Sequence, residues 1–250
     1  MPAAPPVRRS FAALGAAIAL VLAPTAADAL SSRSVQRSIN GHAGHDHIVG
    51  TNGSDRIQAR AGRDVVNSRG GSDNVNGGGG PDRLAGHGGN DRLMTGAGND
   101  VADGGPGRDS VIGQNGADVL YGSAGRDHVS GGAGNDALNG GDGNDEMDGG
   151  DGDDTIDAGA GNDQITGDAG NDVIYPGPGA DKVYAEEGTN HVAVSDDGVR
   201  DDIWCVRKEM IGHSTGLVTY VGGRDRADLL HGCRVEVISR VAARAAGLLP

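Results

Sequence analysis

The stretch 131–175 reads GGAGNDALNGGDGNDEMDGGDGDDTIDAGAGNDQITGDAGNDVIY and repeats a nine-residue pattern without interruption. In each repeat a glycine at position 4 is followed by an aspartate at position 6 and an apolar residue at position 8. The same register runs over 41–193, as 17 consecutive repeats. Position 4 is glycine in all 17, and position 6 is aspartate in 16, with Asn190 as the exception. One repeated unit therefore dominates the chain.

Each repeat predicts a turn followed by a very short strand. The apolar residue at position 8 lies between mostly polar neighbours, which is the alternation of a strand. The residues before position 7 are rich in Gly, Asn and Asp, which favour turns. A single strand of this length buries nothing, but two consecutive repeats make one closed coil. Stacked coils then form two parallel sheets that face each other across the position-8 side chains.

The repeat resembles the RTX (repeats-in-toxin, haemolysin-type) calcium-binding nonapeptide, G-G-x-G-x-D-x-U-x, in which U is apolar. The pattern is nearly complete in GGAGNDALN at 131–139, GGDGNDEMD at 140–148 and GGDGDDTID at 149–157. The resemblance implies an all-β, right-handed parallel β-roll (β-solenoid) that binds calcium. In this family the repeats usually follow a protease, lipase or pore-forming domain. The residues before position 41 match none of these, so we expect no toxin or enzyme activity.

Glycine and aspartate at this spacing suit calcium, which prefers six to eight oxygen ligands. Glycine-rich turns can direct several backbone carbonyls at one point, and the position-6 carboxylate adds to them. Because alternate repeats lie above one another, one ion can sit between two stacked turns. The predicted ligands form two ladders, Asp46, Asp64, Asp82, Asp100, Asp118, Asp136, Asp154 and Asp172 on one edge, and Asp55, Asp73, Asp91, Asp109, Asp127, Asp145, Asp163 and Asp181 on the other. Eight rungs leave seven gaps per edge, so up to about 14 calcium sites are predicted.

The sites are expected to differ in strength. Repeats with Asn or Asp just before the ligand, as at Asn99 and over 135–172, match the pattern best. Weak or vacant sites are expected where glycine is replaced at position 1 or 2, as by His42, Thr51, Arg60, Arg69, Pro176 and Glu186. The alternative is that the aspartates only cap turns through Asx hydrogen bonds. Such turns would accept Asn or Ser more often than once in 17 repeats.

Composition and charge support a cation as the partner. Aromatic residues make up 2% of the chain and the formal net charge is −14, which argues against nucleic acid and anionic membrane surfaces. The apolar row is one residue wide, and the stacked carboxylates repel one another when no ion is bound. We therefore expect the repeats to be unfolded without calcium and to fold at millimolar extracellular calcium.

The N-terminus is typical of a secretory signal peptide over 1–29. Arg8 and Arg9 precede an apolar stretch, 11–22, and the sequence Ala27-Asp28-Ala29 fits a cleavage site. The alternative is an uncleaved membrane anchor. After cleavage we expect a secreted, extracellular chain without a membrane span. Residues 30–40 form a lead-in whose Ile39 has the repeat spacing, as in a worn repeat.

Residues 194–250 are predicted to cap the open end of the roll. Cys205 and Cys233, the two cysteines of the chain, are expected to form a disulfide in an exported protein. The alternative is two separate buried thiols. Residues 235–249 are interpreted as a short basic helix or a frayed tail.

These features favour a non-catalytic, secreted calcium-binding roll with a structural or calcium-sequestering role. An adhesion module that binds a cell-surface or matrix component through the sheet faces is the alternative, with Tyr121, Tyr175 and Tyr184 at position 9 as its hint. An enzyme with its site in the cap, near His213 and His231, is a third hypothesis. The chain contains no HExxH or phosphate-binding loop sequence to support it, although one G-x-S-x-G match, GHSTG, occurs at 212–216.

A histidine cluster in the first repeat raises a separate metal hypothesis. His42, His45 and His47 lie in the sequence HAGHDH, a spacing that could hold zinc or copper. The alternative is a worn first repeat with histidines that face solvent.

Overall fold

The chain winds between two parallel sheets. The computed structural model describes residues 37–195, 197, 199–205, 217–221, 229–231 and 234–238. Within these residues all regular elements are β-strands, which alternate between two eleven-stranded sheets. Every pair of neighbouring strands is parallel, for example the strands that contain Leu120 and Leu138. The predicted parallel β-roll is confirmed.

One sheet holds the odd-numbered strands and the other holds the even-numbered strands. The odd sheet consists, in spatial order, of β1 (Arg37–Asn40), β3 (Asp55–Ala61), β5 (Asn74–Gly79), β7 (Arg92–Ala97), β9 (Ser110–Asn115), β11 (His128–Ala133), β13 (Glu146–Asp151), β15 (Gln164–Ala169), β17 (Lys182–Tyr184), β19 (Asp202–Trp204) and β21 (Leu229–His231). The even sheet consists of β2 (His47–Val49), β4 (Val65–Asn67), β6 (Arg83–Ala85), β8 (Val101–Gly107), β10 (Val119–Gly125), β12 (Ala137–Asp142), β14 (Thr155–Ala160), β16 (Val173–Tyr175), β18 (His191–Ser195), β20 (Leu217–Val221) and β22 (Arg234–Ile238).

The predicted coil of two repeats is confirmed throughout the regular part of the chain. Ile57 is paired with Val75, and Ile165 with Val183, so each position-8 residue lies beside its counterpart two repeats later. Many strands are longer than predicted, since they continue beyond positions 7 to 9 into the following turn. Turn residues of successive coils also stack in register, as Gly132 does on Gly150, so the backbone ladder continues past position 9.

The core is a thin column of side chains between the sheets. All seventeen apolar residues at position 8 are buried, as predicted: Ile48, Ile57, Val66, Val75, Leu84, Leu93, Ala102, Val111, Leu120, Val129, Leu138, Met147, Ile156, Ile165, Ile174, Val183 and Val192. Ala59, Ala158 and Ala185 at position 1 add to this column. Because each coil contributes so few apolar side chains, burial alone stabilises the roll weakly.

The lead-in and the cap both continue the sheets. In β1, Ile39 is paired with Ile57 and packs against the core, as the apolar residue of a degenerate repeat would. In the cap, β19 still pairs with β17, but the spacing between the paired residues is longer than two repeats. The Trp204 ring stacks on Tyr184, with ring centroids 4.8 Å apart and an interplanar angle of 10°. The last coils therefore keep the sheets but lose the constant repeat length.

Part of the sequence interpretation of the C-terminus was wrong. Arg234–Ile238 is a strand that pairs with β20, so the basic helix proposed from residue 235 does not form over these residues. Pairing with an open sheet edge satisfies the backbone groups of this segment.

Several predictions fall outside the described residues. These are the signal peptide, most of the lead-in, His213, Cys233 and residues 239–250. Among the described residues no helix is long and apolar enough to span a bilayer.

Candidate metal centre

The position-6 aspartates form the two predicted ladders, one along each edge of the roll. The backbone N–H of each aspartate donates a hydrogen bond to Oδ1 of the aspartate two repeats later, at 2.7–3.0 Å. Asp100 thus contacts Asp118, which contacts Asp136. All sixteen aspartates named from the sequence belong to these ladders.

Two further residues extend the ladders. Asp172 N–H donates to Asn190 Oδ1 at 2.9 Å, and Asp181 N–H donates to Asp201 Oδ1 at 3.0 Å. Asp201 lies beyond the position that a constant repeat length predicts, so a search for the period misses it. The triplet Asp201-Asp202-Ile203 keeps a trace of the repeat and is the signal that could have identified Asp201.

The second carboxylate oxygen of nearly every rung is buried and unpaired. Within the described residues, Oδ2 has no hydrogen-bond partner in fourteen aspartates: Asp64, Asp73, Asp82, Asp91, Asp100, Asp109, Asp118, Asp127, Asp136, Asp145, Asp154, Asp163, Asp172 and Asp181. Leaving a buried acceptor unsatisfied costs on the order of 1–3 kcal/mol. A proton or a cation on each of these oxygens would remove that cost.

Burial raises the pKa of most of these carboxyl groups. Loss of solvation, with a smaller contribution from neighbouring carboxylates, raises the pKa of Asp109, Asp118 and Asp154 to about 7. The pKa of Asp181 is raised to about 8, mainly by burial and also by nearby carboxylates such as that of Asp201. The protein therefore holds negative charge at these positions only weakly unless a cation is present.

Asn190 reveals which groups face the end of the position-6 side chain in the last repeat. Its Nδ2 donates to the backbone carbonyl of Ala185 at 2.5 Å and approaches those of Glu186 and Glu187 at 3.4 Å. Carbonyl oxygens from positions 1 to 3 of the turn thus converge on this point. In a repeat with aspartate, a carboxylate oxygen takes the place of that amide nitrogen.

This donor set fits calcium. It offers only oxygens, from carboxylates and backbone carbonyls, which are the ligands that a hard divalent cation prefers. Position 1 lies directly beside the carboxylate, and glycine is the commonest residue there. A Cβ on Gly77 would lie 2.6 Å from Asp82 Oδ2, and one on Gly149 would lie 2.6 Å from Asp154 Oδ2. The aspartates, the turn carbonyls and the glycines are therefore consistent with one ion in each gap.

Of the repeats singled out because glycine is replaced at position 2, only the first two have an unusual turn conformation in the structure. Position 2 has a positive φ at Arg60, Arg69 and Glu186, just as it does at the glycines of regular repeats. His42 and Thr51 do not share this conformation, and their N–H groups instead donate to Oδ2 of the aspartate in the same repeat, each at 2.6 Å. The first two repeats are thus the ones whose turns differ, while the weak sites expected at Arg60, Arg69 and Glu186 stay a prediction.

The histidines of the first repeat do not assemble into a metal site in the described part of the chain. No group of three or more His, Cys, Asp or Glu side chains there is placed to hold a metal ion. His45 Nδ1 accepts a hydrogen bond from Arg63 N–H at 2.9 Å, and His42 Nδ1 lies 3.5 Å from Asp46 Oδ1. His42 and His47 are exposed.

The raised pKa values predict that protonation stabilises the folded roll when no cation is bound. An unfolded aspartate has a pKa near 3.8, whereas those of Asp118 and Asp154 are about 7 in the folded, metal-free roll. Between these values the folded state binds more protons, so its stability falls as pH rises from about 4 to about 7. Circular dichroism of the metal-free protein is expected to show β structure at pH 5 and to lose it by pH 7.5. A β signal that is independent of pH, or that increases with pH, would contradict this.

Comparison with known protein families identifies the repeat. A family model described as the RTX calcium-binding nonapeptide repeat (4 copies) matches residues 40–75, 69–102, 76–111, 103–138, 112–147, 148–183 and 157–192. Together these matches span 40–192, which is more than half of the chain. A search of curated proteins finds no significant match.

Proposed function

Because the chain belongs to the family of RTX calcium-binding nonapeptide repeats, we propose that it is a secreted, non-catalytic protein that loads calcium along both edges of its roll. Its role is structural or calcium-sequestering, and the bound ions hold the roll together. The position-6 aspartates supply the carboxylate ligands, and the glycine-rich turns supply the carbonyl ligands.

One observation carries this proposal: fourteen buried carboxylate oxygens without a hydrogen-bond partner among the described residues. They equal in number the fourteen gaps between the sixteen position-6 aspartates, seven on each edge. A calcium ion supplies two positive charges and accepts six to eight oxygens, so it can satisfy several of these groups at once. Magnesium needs a rigid octahedron and releases its water reluctantly, so backbone carbonyls on two separate turns suit it poorly.

An adhesion module is the second candidate, and the outer face of the even sheet supports it. At position 7, Val101, Val119 and Ala137 lie half-buried in neighbouring strands, and Val173 lies two strands further along, beyond Thr155. The odd sheet carries mostly polar residues at this position. The predicted tyrosine patch does not form as a unit, because Tyr184 lies in the odd sheet while Tyr121 and Tyr175 lie in the even sheet. Calcium-loaded protein that sediments with cell-wall or glycan material, and a Val119→Glu variant that does not, would favour this role.

Export and the disulfide remain parts of the proposal that rest on the sequence. Residues 1–29 have the signature of a signal peptide, and the mature chain would start at Leu30. Cys205 is buried directly after β19, and Cys233 follows closely after β21. Since β19 and β21 are neighbours in the odd sheet, this spacing is compatible with a Cys205–Cys233 disulfide.

The test is a count of bound ions on the secreted chain. Protein collected from the medium, equilibrated with millimolar calcium and analysed by elemental mass spectrometry, is expected to carry on the order of 14 calcium ions and little magnesium. The intact mass after chelation should correspond to residues 30–250 less two hydrogens. One or two ions per chain would refute the proposal, and an intact mass that includes residues 1–29 would refute the secretory part.

A further inference from the structure

The turn that precedes each strand occurs in two forms, and position 2 distinguishes them. In all fifteen repeats from residue 59 onward, position 2 has a positive φ, whether it is glycine or a larger residue such as Gln114 or Asp168. In the first two repeats, 41–58, position 2 is His42 or Thr51 and φ is not positive. Residue type alone therefore does not select the form. The first two repeats stand at the N-terminal end of the described stack, where β1 is the only described strand before them.

In the first form, backbone N–H groups occupy the place next to the carboxylate. His42 N–H donates to Asp46 Oδ2, and Thr51 N–H donates to Asp55 Oδ2, both at 2.6 Å. The Thr51 hydroxyl adds a second donor to Asp55 Oδ2 at 3.0 Å. These two carboxylates are satisfied as anions by their own turns.

In the second form, the same place is lined by carbonyls. The last repeat shows this directly, because Asn190 Nδ2 donates to the Ala185 carbonyl and approaches two more. Its position-2 residue, Glu186, has the positive φ of the other fourteen turns in this form. In those fourteen, an unpaired aspartate oxygen replaces the amide. The carboxylate oxygen then faces the carbonyl oxygens of the turn, and a bound cation is needed to satisfy them together.

We propose that the N-terminal ends of both ladders and the C-terminal end of one ladder are independent of metal. Asp46 and Asp55 close the N-terminal end with backbone N–H groups in place of an ion, and Asn190 closes one edge at the C-terminal end with an amide in place of an ion. Calcium is held by the turns of repeats 3 to 16, whose aspartates are Asp64 to Asp181. This inference rests on the proposed calcium binding and specifies which turns take part in it.

The position of the terminal turns explains why they would differ from the turns in the middle of the roll. A turn at the end of the regular repeats has a regular repeat beside it on one side only, so an ion there would be less completely enclosed by ligands. Donors built into the chain satisfy the terminal turns without an ion. The terminal repeats of a solenoid commonly depart from the consensus for this kind of reason.

Single amide substitutions can test the assignment by counting ions. Asn has the shape of Asp, accepts from the N–H of the preceding rung through Oδ1, and can donate to the turn carbonyls as Asn190 does. Asp118→Asn is therefore expected to fold normally at saturating calcium and to lose one or two ions. The matched variants Asp46→Asn and Asp55→Asn make the same chemical change at the N-terminal turns and are expected to keep the full count. Asn190→Asp, in the opposite direction, is expected to gain one ion.

The wild-type count and the differences between variants answer separate questions. A wild-type chain without calcium would refute the proposed function itself. A calcium-loaded wild type whose count falls in Asp46→Asn and Asp55→Asn, or does not rise in Asn190→Asp, would overturn only the inference about the ends. Far-UV circular dichroism of each variant at saturating calcium confirms that the counts refer to folded protein.

Discussion

Chelation of calcium is expected to unfold most of the mature protein at neutral pH. The folded roll buries fourteen carboxylate oxygens that have no hydrogen-bond partner among the described residues. At about 1–3 kcal/mol for each unsatisfied group, their combined cost is as large as, or larger than, the roughly 5–15 kcal/mol by which ordinary domains are stable. The apolar column cannot compensate, because most coils contribute little more than two position-8 side chains to it. Calcium binding and folding should therefore be one equilibrium.

The measurement is a calcium titration of residues 30–250 after chelator treatment, followed by far-UV circular dichroism and small-angle scattering. A cooperative gain of β signal near millimolar calcium is expected, together with a large decrease in the radius of gyration. An unfolded chain of this length has a radius of gyration of about 50 Å. Magnesium at the same concentration is the control and should leave the chain unfolded. A metal-free protein that shows a full-size thermal transition at pH 7.5 would contradict this account.

The repeated part of the fold could be predicted because a few residue types impose it. An apolar residue at position 8 and turn formers before it favour a coil of two repeats. The pairing of Ile57 with Val75 has the register that such a coil predicts. The carboxylate ladders follow from the same spacing. The sheet in which each tyrosine lies could also have been predicted from its repeat number, because odd and even repeats lie in opposite sheets. Tyr121 and Tyr175 belong to odd repeats and Tyr184 to an even one.

The irregular features could not be predicted, because each depends on which neighbours a turn has. His42 and Arg60 both replace glycine at position 2, yet only Arg60 takes the positive φ of the regular turn. The sequence does not encode this difference locally, since it depends on the coil that lies beside the turn. In the cap, the spacing between β17 and β19 and that between β18 and β20 both exceed the two repeats found elsewhere. A search for period alone therefore places Asp201 outside the ladder that it continues.

Gly125→Ala is expected to destabilise the calcium-loaded roll by about 3 kcal/mol or more. Gly125 is at position 4, has a φ of 147°, and stacks on Gly107 of the preceding coil. A Cβ at this site would overlap the Gly107 carbonyl oxygen, which is backbone and cannot move without shifting the whole coil. Because neighbouring coils are stacked through these contacts, the substitution should raise the calcium concentration needed for folding as well as lower Tm.

Two glycines offer the same substitution in other surroundings and separate the causes. Gly44 is also at position 4, with a φ of 138°, but a Cβ there meets no atom within 4 Å. Gly44→Ala should therefore show only the conformational cost, about 1–2 kcal/mol. Gly88, at position 3, has open space and no positive φ, so Gly88→Ala should be neutral or stabilising by about 0.4–1 kcal/mol. Thermal unfolding at saturating calcium ranks the three variants. Equal losses at Gly44 and Gly125 would show that backbone conformation, and not the contact between coils, requires glycine at position 4.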